Sequence, residues 1–328
     1  MMVNVAIVGC GLVGARWDMA PLLKERSLSH ASAFSKNKEA SIVAFCDCDY
    51  GRALEAGMGW GCANTYQNAH EMFDRLRIDL VVIATPPQHI SEIVDIALNV
   101  GVRNFLLEKP AATSYNEVQC LIKKFSNFNA LALINYSRRW SSPIRSLKNQ
   151  LTDGSFGGVQ RMVGYYGKGL LNNGSHMIDL AIFLLDLTEV YVVSAKKNKN
   201  TGLVDGIDVN LEGKKLGGMN MQIDLISTDS DKFTIFEAHL IMDKGIIFLE
   251  NMGGNISIRK IISDPLYEGY KILDVPRAME ISSPAPMDII AQESIDLAIG
   301  RTKTPTYNLN DAGIVLKVIE RAVTIATQ

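Results

Sequence analysis

Six residues rich in β-branched side chains, Val3 to Val8, run directly into Gly9-Cys10-Gly11-Leu12-Val13-Gly14, and a helix-capable stretch follows. Few folds use that junction. A first glycine permits a tight turn out of a strand, a second lets backbone approach a pyrophosphate, and a third lets helix and strand pack closely. The start of the following helix would offer unpaired N–H groups and a partial positive charge to the phosphates. The spacing therefore predicts a strand–turn–helix unit built to hold a dinucleotide.

The next 130 or so residues keep to that plan. Ser41 to Cys46, Leu80 to Ala84, Asn104 to Leu107 and Ala130 to Tyr136 are further short apolar runs. Helix-period stretches separate them, among them Ser91 to Asn99 and Ser114 to Phe125. Near-continuous apolar strands between amphipathic helices mean a parallel sheet covered on both faces, the doubly wound α/β arrangement. Beyond Tyr136 the texture changes to apolar/polar alternation: Gln160 to Tyr166, Met219 to Ser227, Lys232 to Leu240, Gly245 to Leu249 and Asn255 to Ile261. Gly217-Gly218 and Gly253-Gly254 break the series, which reads as a mostly antiparallel sheet. Helices are expected at Ser175 to Leu185, Met287 to Ile299 and Asp311 to Ala326. The division is then an N-terminal Rossmann domain, 1–136, and an α+β domain, 137–328.

Composition narrows the partners. The 33 basic and 35 acidic residues leave a net charge of −2, which gives nucleic acid or an anionic membrane no handle. No apolar run approaches the roughly 20 residues of a membrane span. The N-terminus enters the strand pattern too early for a signal peptide. The five cysteines are odd in number, and Cys46-x-Cys48 is too close for a usual zinc pair. They read as small hydrophobes in a reducing cytoplasm, with no disulfide and no structural metal.

Asp47 ends the second strand, with Asp49 close behind. A carboxylate there accepts from both ribose hydroxyls of an adenosine and repels a 2′-phosphate, which favours NAD over NADP. The spacing from the glycines is longer than usual because of Arg16 to His30, either a surface excursion or a lid beside the ligand crevice. Thr85-Pro86-Pro87-Gln88-His89 follows the third strand. The prolines force extended geometry on Thr85 and set a backbone edge at the sheet's C-terminal rim, on the nicotinamide side. His89 is either a surface residue or a contributor there.

Glu108-Lys109-Pro110 comes at the end of the fourth strand, on the same rim, and Asn172-Asn173-Gly174-Ser175-His176 leads to Asp179. The combination of GCGLVG, ATPPQH, EKP after a strand and a G-S-H-x-x-D segment resembles the glucose-fructose oxidoreductase / inositol dehydrogenase (Gfo/Idh/MocA) family. The resemblance extends to Asn135-Tyr136-Ser137-Arg138-Arg139-Trp140 and to Tyr307 through Gly313. It implies a Rossmann domain followed by a domain with an open, largely antiparallel sheet, used by many members to form dimers or tetramers. It also implies oxidation or reduction of a ring hydroxyl of a sugar or cyclitol with bound NAD or NADP. On matching positions Lys109 would touch both the nicotinamide ribose and the reacting hydroxyl, and His176 would be the acid/base.

The residues themselves carry part of this. Asn172, Asn173 or Ser175 can cap a helix, placing His176 in its first turn, where the positive helix end favours neutral imidazole. A neutral imidazole can accept a hydroxyl proton while hydride leaves the same carbon. Asp179, three residues on, lies on the same helical face and could orient the ring or bind a hydroxyl. Many members of the family carry Asp where this chain has Asn172, so more of the proton chemistry falls to Lys109 and His176. Glu108 and Tyr136 complete the expected rim. Lys168 is a spare cation for an anionic group or a surface residue. Arg138 and Arg139 suit carboxylate or phosphate recognition, or an ion pair.

The expectation is an NAD-dependent dehydrogenase acting on the CH–OH groups of a sugar. The Asn-Asn-Gly-Ser-His variant resembles chains of surface-polysaccharide synthesis, implying a nucleotide sugar. Two alternatives belong to other classes: an NAD-dependent glycoside hydrolase using transient oxidation, and a non-catalytic NAD- or sugar-binding regulator.

Overall fold

In the computed structural model, residues 2–19, 26–199, 201–202, 205–215, 220–229, 233–279 and 285–328 are described. Two compact units result. One comprises Met1–Trp140 with Pro284–Gly313, the other Ser141–Ser283 with Ile314–Gln328.

The first unit begins with β1 (Val3–Val8), then α1 (His30–Lys36), β2 (Ala40–Cys46), α2 (Tyr50–Trp60), β3 (Thr65–Tyr66) and α3 (Ala69–Arg75). It continues through β4 (Leu80–Ile83), α4 (Ile90–Asn99), β5 (Asn104–Glu108), α5 (Tyr115–Asn127) and β6 (Leu131–Asn135). The strands form one six-stranded parallel sheet in the order β3-β2-β1-β4-β5-β6. The order reverses between β1 and β4, the crevice where such sheets bind ligands outside their C-terminal ends. Val5, Ala6, Ile7 and all of β4 are buried, so water is excluded from both faces. The two-residue β3 is too short to leave an apolar run in the sequence.

The second unit holds α6 (Ser142–Thr152), β7 (Val159–Tyr166), α7 (Ser175–Leu185), β8 (Leu187–Lys197), β9 (Ile207–Lys215) and β10 (Asn220–Ser227). After these come β11 (Phe236–Met242), β12 (Gly245–Glu250), β13 (Asn255–Ser263), β14 (Lys271–Leu273) and β15 (Arg277–Ala278). The order is β14-β13-β12-β11-β7-β10-β9-β8, with β15 paired to β13. Only the β7–β10 pairing is parallel among the described residues. Fold class is thus as expected, an N-terminal Rossmann sheet and a C-terminal, mostly antiparallel mixed sheet. Two long strands, β8 and β9, add to the expected series, and the Gly217-Gly218 break lies outside the described residues. The starts of the strands expected at Met219 and Lys232 lie outside them too. One face of β7 packs on α7, where Gly164 lets Met177 approach; a Cβ there would sit 2.8 Å from the Met177 Cγ.

The chain then returns to the first unit with α8 (Pro286–Ala298), which packs on β4, β5, β6 and α1, and closes with α9 (Leu309–Ala326). Proline at its first helical position suits α8, since that N–H has no intrahelical partner. No helix among the described residues is long and apolar enough to cross a membrane.

Candidate functional site

The C-terminal rim of the parallel sheet collects the glycine turn, Asp47, Thr85 and the Glu108-Lys109 pair on four neighbouring strands. Gly9 has φ +97°, and a Cβ on it would lie 2.5 Å from the Ala84 carbonyl oxygen. A Cβ on Gly14 would lie 1.9 Å from the Gly9 carbonyl oxygen. These two glycines are demanded by the fold. Gly11 is different: a Cβ there would meet nothing within 4 Å, and its φ of −71° suits any residue. Its Cβ side faces open space beside the exposed Leu12, room that a pyrophosphate could fill. The Thr85 hydroxyl, buried on the next strand, has no hydrogen-bond partner among the described residues. The residues present therefore fit a dinucleotide.

Two details differ from the sequence reading. After the turn, Leu12–Arg16, which includes Val13 and Gly14, forms a single π-helical turn, and α1 begins only at His30. The first crossover helix is displaced because the chain diverts through the excursion at Arg16 to His30, of which 20–25 lie outside the described residues. In its described parts Arg16, Trp17 and Arg26 are exposed, whereas Asp18, Ser27, Ser29 and His30 are buried, and Asp18 Oδ2 accepts from the N–H groups of Leu28 (2.7 Å) and Ser29 (3.0 Å). Asp47, also buried, is already engaged: Oδ2 accepts from the Cys10 N–H at 2.7 Å and Oδ1 from the Asp49 N–H at 2.9 Å. It holds the glycine turn as well as facing it. Asp47→Ala is expected to cost about 1–3 kcal/mol in ligand-free urea unfolding by orphaning a buried N–H, and Asp47→Asn clearly less.

Glu108 is the most tightly held carboxylate of the rim. Oε1 is 2.8 Å from Nε2 of His30 and accepts from Nδ2 of Asn135 at 2.6 Å. Oε2 accepts from the Lys109 N–H at 3.2 Å. Burial pushes the Glu108 carboxyl up, but the hydrogen bond and charge of His30, with Asn135 and Lys109, hold it below the usual carboxylate range. At Lys109 burial dominates and brings the ammonium down to about 8, against the opposing pull of Glu108 and with a further push from Arg138. Sequence reasoning misses His30 and Asn135 in this role. The one clue is that Ser29 is a helix-capping residue preceding His30; its side chain accepts from the Ser32 N–H.

Of the other rim residues, Pro86 and His89 are exposed and Arg138 is half-buried. Tyr136 is only 1% exposed and packs edge-to-face on Tyr307 at 5.2 Å between centroids. Arg139 is buried with its guanidinium 3.9 Å above the same Tyr307 ring. These two residues build the core of the first unit.

In the second unit, Lys168, Asn172, Asn173, His176 and Asp179 are brought together on one segment. Gly167-Lys168-Gly169 is a turn, with Lys168 exposed at φ +61° and Gly169 at φ +80°. Leu170–Gly174 makes a π-helical turn that continues without a break into α7, and Ser175 Oγ donates to the Asn172 carbonyl at 2.6 Å. The expected side-chain cap is absent among the described residues, so His176 lies beyond the first helical turn and the helix-end argument for its charge lapses. His176 and Asp179 are buried, Asn172 is exposed, and the buried Asn173 amide Nδ2 has no hydrogen-bond partner among the described residues. Gly174 allows a tight contact with Tyr166: a Cβ on it would lie 3.0 Å from the tyrosine ring.

Known proteins resemble this chain in the same regions. A family model described as "Oxidoreductase family, NAD-binding Rossmann fold" matches residues 3–136. A D-apiose dehydrogenase of Rhizobium rhizogenes is 25% identical over 221 residues, covering 62% of this chain and 59% of its own length. A D-glucoside 3-dehydrogenase of Escherichia coli is 22% identical over 218 residues, covering 61% and 58%. The chain thus spans little more than half the length of these curated relatives. An oxidoreductase of Agrobacterium radiobacter, solved with NAD+, L-tartaric acid and magnesium, has the same fold with a TM-score of 0.73 at 18% identity, covering 100% of this chain and 97% of its own. By its sequence motifs, its parallel sheet and the family match, the region 3–136 of this chain is similar to the NAD-binding Rossmann fold of the Gfo/Idh/MocA oxidoreductases.

Proposed function

We propose that the chain is an NAD-dependent oxidoreductase that moves hydride between nicotinamide and a ring hydroxyl or ketone of a sugar. The observation that carries this reading is the rim itself. Open space at Gly11, an unpartnered Thr85 hydroxyl and a lysine brought down to about 8 end three adjacent strands, β1, β4 and β5. NAD, when bound, supplies the hydride acceptor or donor. The turn Gly9 to Gly14, with the N–H groups of Leu12 and Val13, would hold its pyrophosphate, and Asp47 its adenosine ribose in preference to a 2′-phosphate. Thr85, Pro86, His89 and Glu108 would border the nicotinamide side. Lys109 donates to the reacting oxygen and stabilises charge as it develops there. His176 takes the hydroxyl proton in oxidation and returns it in reduction. Asp179, Asn172, Asn173, Lys168 and Arg138 would bind substrate hydroxyls, with Tyr136 a support for the rim.

The first unit is accordingly assigned to the cofactor, the second to substrate and self-association. The half-exposed stack Tyr165–His239–Phe248 on β7, β11 and β12 offers an apolar sheet face for a homodimer or homotetramer. The relatives' names point to a free sugar, D-apiose, and to a D-glucoside. A nucleotide sugar of surface-polysaccharide synthesis is the narrower reading and leans on Arg138, since Arg139 is committed to Tyr307. Reduced-nicotinamide absorbance with NAD, across free sugars, cyclitols and nucleotide sugars, tests all of these. Stoichiometric reduced cofactor with one class supports a dehydrogenase; aglycone release with unchanged NAD would make it a hydrolase. NAD binding with neither product would leave a regulator.

A further inference from the structure

His30 stands 78 residues from Glu108 in sequence, is 1% exposed, and still places Nε2 2.8 Å from the Glu108 carboxylate. A buried carboxylate is costly unless donors surround it. An ionised carboxylate only accepts, so Nε2 of His30 carries the proton and donates. The supports of this imidazole are local: Asp18 pins Leu28 and Ser29, Ser29 caps α1, and the first residue of α1 is His30.

We propose that His30 is the positioning residue of the Glu108-Lys109 pair: by holding Oε1 together with Asn135, it keeps the Glu108 charge fixed beside Lys109. The contacts of Asp18 with Leu28 and Ser29 thereby reach the rim through His30. The inference rests on the reading above that Lys109 is the working cation. Around the Glu108-Lys109 pair within the unit, α1 carries His30 and Lys36, the turn after β6 carries Arg138 and Arg139, and α8 carries Asp288, Glu293 and Asp296; Lys36 Nζ donates to Ser27 Oγ at 3.0 Å, and Asp296 Oδ1 accepts from Arg301 at 2.8 Å. Glu293 is engaged by the Trp140 indole N–H at 2.8 Å and the Thr306 N–H at 2.9 Å. Of these, Glu108 and Arg138 act on the Lys109 ammonium, in opposite directions.

The test is acetic anhydride labelling of the whole protein as a function of pH, with Lys109 followed by mass spectrometry of its peptide. Wild-type labelling should have its midpoint at about 8. His30→Met keeps bulk but removes the donor, and its midpoint should fall by about 1 as Glu108 loses its hold. At pH 7 that is about fivefold faster acetylation. His30→Gln, whose Nε2 can reach the same oxygen, should keep the wild-type midpoint. Should His30→Met not fold, His30→Asn, polar but too short to reach, carries the same measurement. Glu108→Gln should show the full fall. An unchanged midpoint in His30→Met overturns the proposal, as does an unchanged one in Glu108→Gln, or an equal fall in His30→Gln. Labelling needs no turnover. If no sugar is oxidised, the proposed activity fails while the His30 result stands on its own.

Discussion

Lys109→Ala is expected to lower turnover by about 10²-fold or more on whichever sugar proves to be the substrate, while NAD affinity changes far less. The argument is electrostatic. Lys109 is the rim cation brought down to about 8, mainly by burial, and its neighbour Glu108 opposes that fall. A half-buried ammonium beside a reacting oxygen stabilises the developing charge more than the same ammonium would in water. Its charged fraction declines as pH rises through about 8, so the Lys109-dependent part of wild-type turnover should decline over that range. Lys109→Arg, which stays charged, should lose most activity through geometry but show no such decline. Steady-state kinetics across pH with isothermal titration of NAD separates the two effects. Near-wild-type turnover in Lys109→Ala would remove the residue from the mechanism.

The second large effect is on stability. Gly14→Ala places a methyl group 1.9 Å from the Gly9 carbonyl oxygen, a contact that only backbone displacement can relieve. A loss of about 3 kcal/mol or more is expected, read by urea or thermal unfolding. Gly11→Ala makes the same chemical change three residues earlier in open space and at a φ of −71°, so unfolding should barely move. What Gly11→Ala should lose is NAD affinity. Two alanines in one turn, one breaking the fold and the other only the ligand surface, separate the glycine's packing role from its binding role. Equal unfolding of Gly14→Ala and wild type would refute the packing argument.

What is legible in the sequence follows the strength of its local signals. β1 and β4 are short, β-branched and enclosed on both faces, and such runs have few other uses. Helix α7 is legible to the residue because its apolar run is so dense. By contrast β9 buries Ile207, Val209 and Leu211 on alternate positions, a signal obscured by the neighbouring charges of Glu212, Lys214 and Lys215. Three glycines and few apolar anchors hide α2. At the rim, motifs place Gly9 to Gly14, Asp47 and Lys109, since their chemistry lies within a few residues. Side chains that act across the fold leave no such mark. The hydrogen bond from Cys10 to Asp47 and those from His30 and Asn135 to Glu108 join distant segments. The cap expected at Asn172, Asn173 or Ser175 fails for another reason: the backbone before α7 winds as a π-turn, and these residues are already inside the helix.

The return of α8 to the first unit bears on how the chain is made. On the ribosome, β4, β5 and β6 emerge about 150–200 residues before the helix that covers them. At ~5–20 residues per second, that interval is roughly 8–40 s. Throughout it the nascent sheet carries an uncovered apolar flank, the kind of surface that recruits chaperones or misassembles. Completion of the first unit is therefore a late event in synthesis, even though its strands are the first to appear.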